Sequence, residues 1–208
     1  MTANRLDDIY SDFRASFENS PDFVINFFAN HSVYFNNITS FKNQEDLGLF
    51  IELTWQYLNA IYAKSRFSEV TNTVDQKLAI IDNELGRLSA NDLKNDWYYG
   101  LHLIKGMALF HDGDYKTAGS IFKGLMEYDS KNEKFRQWFK ASQHRRVLWL
   151  LNPLWILWAF LIFNDIFLKD YITKSTSRLL STIGLLCMLI TWGYDYYMRR
   201  KIRNTKKQ

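Results

Sequence analysis

Cysteine is all but absent. Cys187 is the only one in 208 residues, so no disulfide can form within the chain and the thiol content does not point to an oxidising compartment. Cys187 lies inside an apolar run and is read as a packing residue. Proline is nearly as scarce, with Pro21 and Pro153 the two in the chain. So few breakers, and no sustained alternation of apolar and polar residues, predict an all-α protein. A Gly-rich phosphate loop, a nucleophile elbow and a paired-cysteine motif are all missing. Of the four histidines, His31, His102, His111 and His144, no two stand at the i, i+4 spacing of a helical metal pair, and His102 and His111 are nine apart. Asp112 and Asp114 flank a turn glycine, where helix capping accounts for them. No catalytic residue, metal ligand or cofactor is therefore assigned, and the chain is not expected to be an enzyme.

What is present divides the chain in two. Residues 1–146 hold 17 Lys and Arg against 19 Asp and Glu, a net of −2, while residues 147–208 hold 9 against 3, a net of +6. The basic balance belongs to the second part and does not mark a nucleic-acid surface. That part has two apolar runs, 147–168 and 179–198, joined by a polar link at 169–178. Runs of 22 and 20 residues meet the roughly 20 that a helix needs to cross a bilayer. Neither has a polar face, unlike the helices of a soluble core. Trp149, Trp155 and Trp158 in the first run, and Trp192, Tyr194, Tyr196 and Tyr197 at the end of the second, fit interfacial belts. A transmembrane hairpin is the expectation.

Lys and Arg gather outside the hairpin. Arg145, Arg146, Arg199, Arg200, Lys201, Arg203, Lys206 and Lys207 flank it, against Lys169, Lys174 and Arg178 in the link. Eight against three predicts both termini in the cytoplasm, as does the lack of an apolar signal segment around Arg5, Asp7 and Asp8. The expected place is a bacterial plasma membrane. Arg145, Arg146, Arg199, Arg200, Lys201 and Arg203 are topology signals that can also attract anionic lipids. Asn152-Pro153 predicts a kink or break, with a juxtamembrane helix before it. Asn152, Asn164, Asp165 and Asp195 are the membrane-polar residues; their depths fit the interfaces, and in an oligomer they would line a water path. Ser181 and Gly184 give the second run a small-residue face for close packing.

Residues 1–146 predict helices at 5–18, 22–36, 44–65, 67–88, 92–111, 114–128 and 133–150. Ser20-Pro21, Asn91-Asp92 and Asp112-Gly113-Asp114 supply starts and turns, and the short links make neighbours antiparallel. Within them, Gly106, Leu109, Gly113, Tyr115, Ala118 and Phe122 follow one another at the spacing of a tetratricopeptide repeat, and the stretch resembles that family. The resemblance implies that Gly106 allows close packing, Leu109 packs on the partner helix, and Ala118 and Phe122 close the pair. Lys105 stands where the family has leucine, and Ser130 where it often has proline. Leu58, Ile61, Phe67, Val70 and Val74 repeat the spacing 48 residues earlier, a longer period than the ~34 of the family.

The predicted organisation is an N-terminal helical cap at 1–42, TPR-like antiparallel repeats at 43–132, a juxtamembrane helix at 133–146, two transmembrane helices within 147–198, and a basic cytoplasmic tail at 199–208. By the resemblance, the first helices of the repeats line a partner-binding groove of Trp55, Asn59, Tyr62, Leu103, Met107 and Phe110. An apolar, aromatic set of this kind suits an amphipathic helix or apolar peptide. The expected function is a membrane-anchored scaffold binding a protein partner beside the lipids. The alternative is a homo-oligomeric, membrane-disrupting effector, such as one of bacterial defence, with the helical domain as sensor.

Overall fold

The computed structural model describes residues 6–18, 20–94, 96–167 and 174–204. Among them are nine α-helices, one short 3-10 turn and no strand. The helices are α1 (Leu6–Ser16), α2 (Pro21–Asn30), α3 (Ser32–Asn37), α4 (Gln44–Ala63), α5 (Phe67–Arg87), α6 (Asp96–His111), α7 (Tyr115–Tyr128), α8 (Glu133–Phe167) and α9 (Lys174–Asn204). They form two compact units, Met1–Arg136 and Gln137–Gln208, with the boundary in the first turn of α8.

Local chemistry sets the ends of the central helices. Asn43 caps α4 by accepting from the Asp46 N–H at 2.8 Å. Ser65 and Ser89, at φ 59° and 51°, take the left-handed conformation just past the ends of α4 and α5. Gly113 turns α6 into α7 at φ 90°, a conformation that favours glycine. Asp114 then caps α7, accepting from the Thr117 N–H at 3.0 Å. Hydrogen bonds from Thr117 hold the Asp114 carboxyl below its ordinary value. Asp114→Ala is expected to lower the stability of the unit by about 1 kcal/mol, measured by urea unfolding at pH 7. A carboxyl depressed by folding stabilises above its ordinary range and loses that contribution as pH falls. The gap between wild type and variant therefore narrows in acid.

In the first unit α4 is the hub. It packs against α1, α2, α5 and α6, while α6 packs against both α4 and α5 and pairs with α7. Two antiparallel hairpins, α4–α5 and α6–α7, are thus stacked, and α1 to α3 lie at the α4 side. The core is continuous from Ile9 and Phe13 on α1 through Phe50 and Leu58 to Leu101 and Ala108. Of the two sets of equivalent spacing, Leu58 and Gly106, Val70 and Ala118, and Val74 and Phe122 are buried, Phe67 and Tyr115 are half-buried, and Ile61 is buried where Leu109 is half-buried. Gly106 is a point of close approach, since a Cβ there would lie 2.7 Å from Phe122 Cε1. Lys105, the departure from the repeat pattern, reaches Asp75 on α5 at 2.5 Å.

Polar contacts tie the outer helices to this frame. Tyr10 and Arg14 on α1 both bond the Glu52 carboxylate on α4, at 3.0 and 2.9 Å. Lys77 on α5 donates to the Phe35 carbonyl at the end of α3 (2.9 Å), and burial lowers its pKa. Glu84 on α5, 1% exposed, accepts from the Phe41 N–H at 2.8 Å and from Arg87 Nε at 2.8 Å. The Arg87 guanidinium also donates to the Phe41 carbonyl. The chain between α3 and α4 is pinned to α5 by that cluster.

The structure corrects the sequence reading at four places. The segment 22–36 divides at His31, which ends α2 and starts α3; its Nδ1 lies 2.9 Å from the Phe27 carbonyl and its ring stacks on Phe27. Asn91 and Asp92 start the 3-10 turn Asn91–Leu93, and α6 begins only at Asp96. The break expected at Asn152-Pro153 is absent, because α8 runs unbroken through Pro153. Proline at 153 removes one i to i−4 bond, a loss a long helix tolerates where its neighbours stay paired. For the same reason no separate juxtamembrane helix exists at 133–146, which is simply the start of α8.

In the second unit α8 and α9 run antiparallel, as two contacts establish. Gly184 faces Trp158 and Leu161, where a Cβ would come within 3.2 Å of the Trp158 ring. His144 Nε2 lies 3.3 Å from Asp195 Oδ1, and the His144 ring stacks on Tyr194. Glu133–Phe163 and Arg178–Tyr197 are long and apolar enough to cross a membrane.

Candidate functional site

α4 and α6, which carry the six predicted groove residues, run parallel. Trp55 lies beside Gly100, and Tyr62 beside His111. All six are half-buried. Their roles divide. Trp55 lies flat on the backbone of α6, where a Cβ at Gly100 would be 2.4 Å from its Nε1, and it meets Trp97 edge to face at 4.6 Å. Tyr62 joins a cluster with Phe67 (5.4 Å) and His111 (5.8 Å), and burial raises its phenol pKa. Phe110 packs edge-on to Tyr115 at 5.2 Å. These three also take part in contacts between side chains of neighbouring helices, while Asn59, Leu103 and Met107 are half-buried on the same two helices.

A second concavity escapes the sequence reading. Between α6 and α7 a cleft of about 290 Å³ is lined by Tyr98, Tyr99 and His102 from α6 and by Ile121, Gly124 and Leu125 from α7, with Lys94 just after the 3-10 turn that precedes α6. Its walls are set by fixed contacts. The Tyr98 hydroxyl donates to Asp82 on α5 at 2.7 Å, and Tyr99 stacks on Tyr128 at 3.4 Å. His102 meets Tyr98 edge to face at 4.9 Å. Burial pushes its imidazole below the ordinary value, against a weaker pull from Asp82. The sequence signal was the i, i+4 pair Tyr98 and His102 opposite a helix-interior glycine.

A third hollow, of about 390 Å³, lies at the α1–α2 turn between Glu18, Asp22, Phe23 and Asn26, among others. Asp22 there bonds Lys64 at 2.7 Å.

Of the residues predicted for the membrane part, Arg145, Arg146 and Arg200 are exposed. Asp195 faces His144 within the hairpin. The side chains of Asn152, Asn164, Asp165, Arg199, Lys201 and Arg203 lie outside the described ones. Among the described residues no three His, Cys, Asp or Glu side chains gather as a metal site.

No protein-family model, curated protein or solved structure matches the chain.

Proposed function

We propose that the chain is a membrane-anchored interaction protein. Two helices cross the bilayer and hold a TPR-like domain against its cytoplasmic face, where the α4/α6 strip binds a protein partner. The outward placement of the apolar side chains on α8 and α9 carries this reading. Within the two candidate spans only 6% and 11% of the most apolar stretch is buried. Ile156, Phe160, Phe163, Leu186, Ile190 and Trp192 are all exposed. Soluble monomers rarely leave so many large apolar side chains open to water along one pair of helices, and lipid tails are the environment that satisfies them. The Lys and Arg excess outside the hairpin supports the cytoplasmic placement of both ends.

An alkaline carbonate wash of isolated membranes tests the anchor. The protein is expected to stay in the pellet, and its release into the wash would refute the spans. Protease protection of a tag placed in the 169–173 link, but not of one placed after residue 208, is the expected topology. A photo-crosslinker at Met107 is expected to trap a partner that one at Ala79, on the exposed side of α5, does not. Equal trapping at both positions would remove the strip as the binding surface. The effector reading gains less support, because Asp195 faces His144 of its own hairpin. Dye release from liposomes carrying the purified protein would reverse that preference.

A further inference from the structure

We propose that the cleft between α6 and α7 is a binding site for a small aryl carboxylate, its ring on the wall of Tyr98, Tyr99 and His102 and its carboxylate at Lys94. The inference is independent of the membrane reading, because every residue used lies in the Met1–Arg136 unit.

Size sets the scale of the ligand. A cleft of about 290 Å³ stands at the lower edge of the ~300–1,000 Å³ typical of small-molecule sites, so one ring with a short substituent fills it. Shape favours a flat ring. Tyr98, Tyr99 and His102 form an aromatic wall, and Ile121 and Leu125 face them. Aromatic rings pair well edge-to-face or offset on such a wall. Gly124 borders the cleft and is exposed; nothing lies within 4 Å of where its Cβ would stand, and its φ does not require glycine, so a larger side chain can be placed at the rim without disturbing the packing.

Charge selects the acid. Lys94 is an exposed cation on the cleft, without an ion-pair partner among the described residues. Asp82, the acid that reaches the aromatic wall, takes its hydrogen bond from the Tyr98 hydroxyl. That bond also fixes the Tyr98 ring, so the wall is set before a ligand arrives. The His102 imidazole, whose neutral form burial favours, lies on the same wall and offers a ring nitrogen for a polar substituent.

The test uses the full-length protein in detergent micelles with 4-fluorophenylacetate as the probe, read by fluorine NMR. Saturable binding is expected. Gly124→Leu, which places a larger side chain at the rim of the cleft, is expected to abolish it, whereas Gly86→Leu, at another open helical glycine but on α5, leaves it unchanged. Lys94→Gln, an exposed change that leaves the fold alone, is expected to weaken binding about tenfold. The uncharged probe 4-fluorophenylacetamide should show the same loss. An absence of saturable binding, or equal binding by wild type, Gly124→Leu and Lys94→Gln, would overturn the proposal. Loss with Gly86→Leu as well would overturn the location.

Discussion

Gly106→Val is expected to destabilise the first unit by about 3 kcal/mol, the upper part of the range for overpacking a core. At this position the Phe122 side chain of α7 packs directly on the backbone of α6. A Cβ at 106 would lie 2.7 and 2.9 Å from Phe122 Cε1 and Cζ and 3.3 Å from Ile121 Cγ2. The Phe122 ring is fully buried, so it has no solvent into which to swing. Valine adds two further carbons, and the helices must separate to admit them. Gly106→Ala separates the contributions. Alanine gains up to about 1 kcal/mol of helix propensity and meets the clash through its Cβ alone, so its loss should be clearly smaller. Urea unfolding of the full-length chain, followed by near-UV circular dichroism, measures both. A loss below about 1 kcal/mol for the valine variant, well short of the overpacking range, would mean that the α6–α7 pair yields freely.

The same glycine shows how far the amino-acid order could be read. Gly106, Ala118 and Phe122 were legible because a close helix crossing needs a small residue opposite a large one, and that need fixes their spacing. The α4–α5 and α6–α7 hairpins followed from links of only three residues, 64–66 and 112–114. Other features depend on partners far away in the chain. Whether Trp55 faces a ligand or the backbone of α6 is decided by Gly100, some forty residues on, and helix periodicity does not register that pairing. Lys105 looked like a defect in the pattern until Asp75 supplied its partner on α5. Local preference misled at Asn152-Pro153, where the residue before a proline is biased away from helix. Around it stands a helix of 35 residues whose other turns favour helix, and continuity wins. The α6–α7 cleft was missed for another reason: the Tyr98 and His102 spacing marks only one wall, and the opposite wall is set by which face α7 turns to α6.

Glu84→Ala is expected to cost about 2–3 kcal/mol, the range for leaving a buried donor unsatisfied. Glu84 is 1% exposed, and two kinds of donor meet its carboxylate. One is the Phe41 N–H, 2.8 Å away, which has no route to water while Phe41 itself is buried. The other is Arg87, whose side chain is 48% exposed and can turn to solvent once its acid is gone. The loss therefore falls mainly on Phe41, and it frees the chain between α3 and α4. Hydrogen bonding from Arg87, with a smaller contribution from the Phe41 amide, holds the Glu84 carboxyl below its ordinary value of 4.5 even though burial acts the other way. The sign follows. A carboxyl depressed by folding contributes fully above its ordinary value and loses that contribution as pH falls through the folded one. Wild type and Glu84→Ala should thus differ most near pH 7 and converge in acid. Hydrogen exchange localises the effect, since the Phe41 amide should lose protection at pH 7 well before the amides of α7. Uniform loss across the unit would show that Glu84 holds the whole core and not this one crossing. Glu84→Gln keeps the shape and an acceptor for Phe41, so it should retain part of the stability while flattening the pH dependence. If the glutamine variant keeps the wild-type pH profile, the titrating group lies elsewhere.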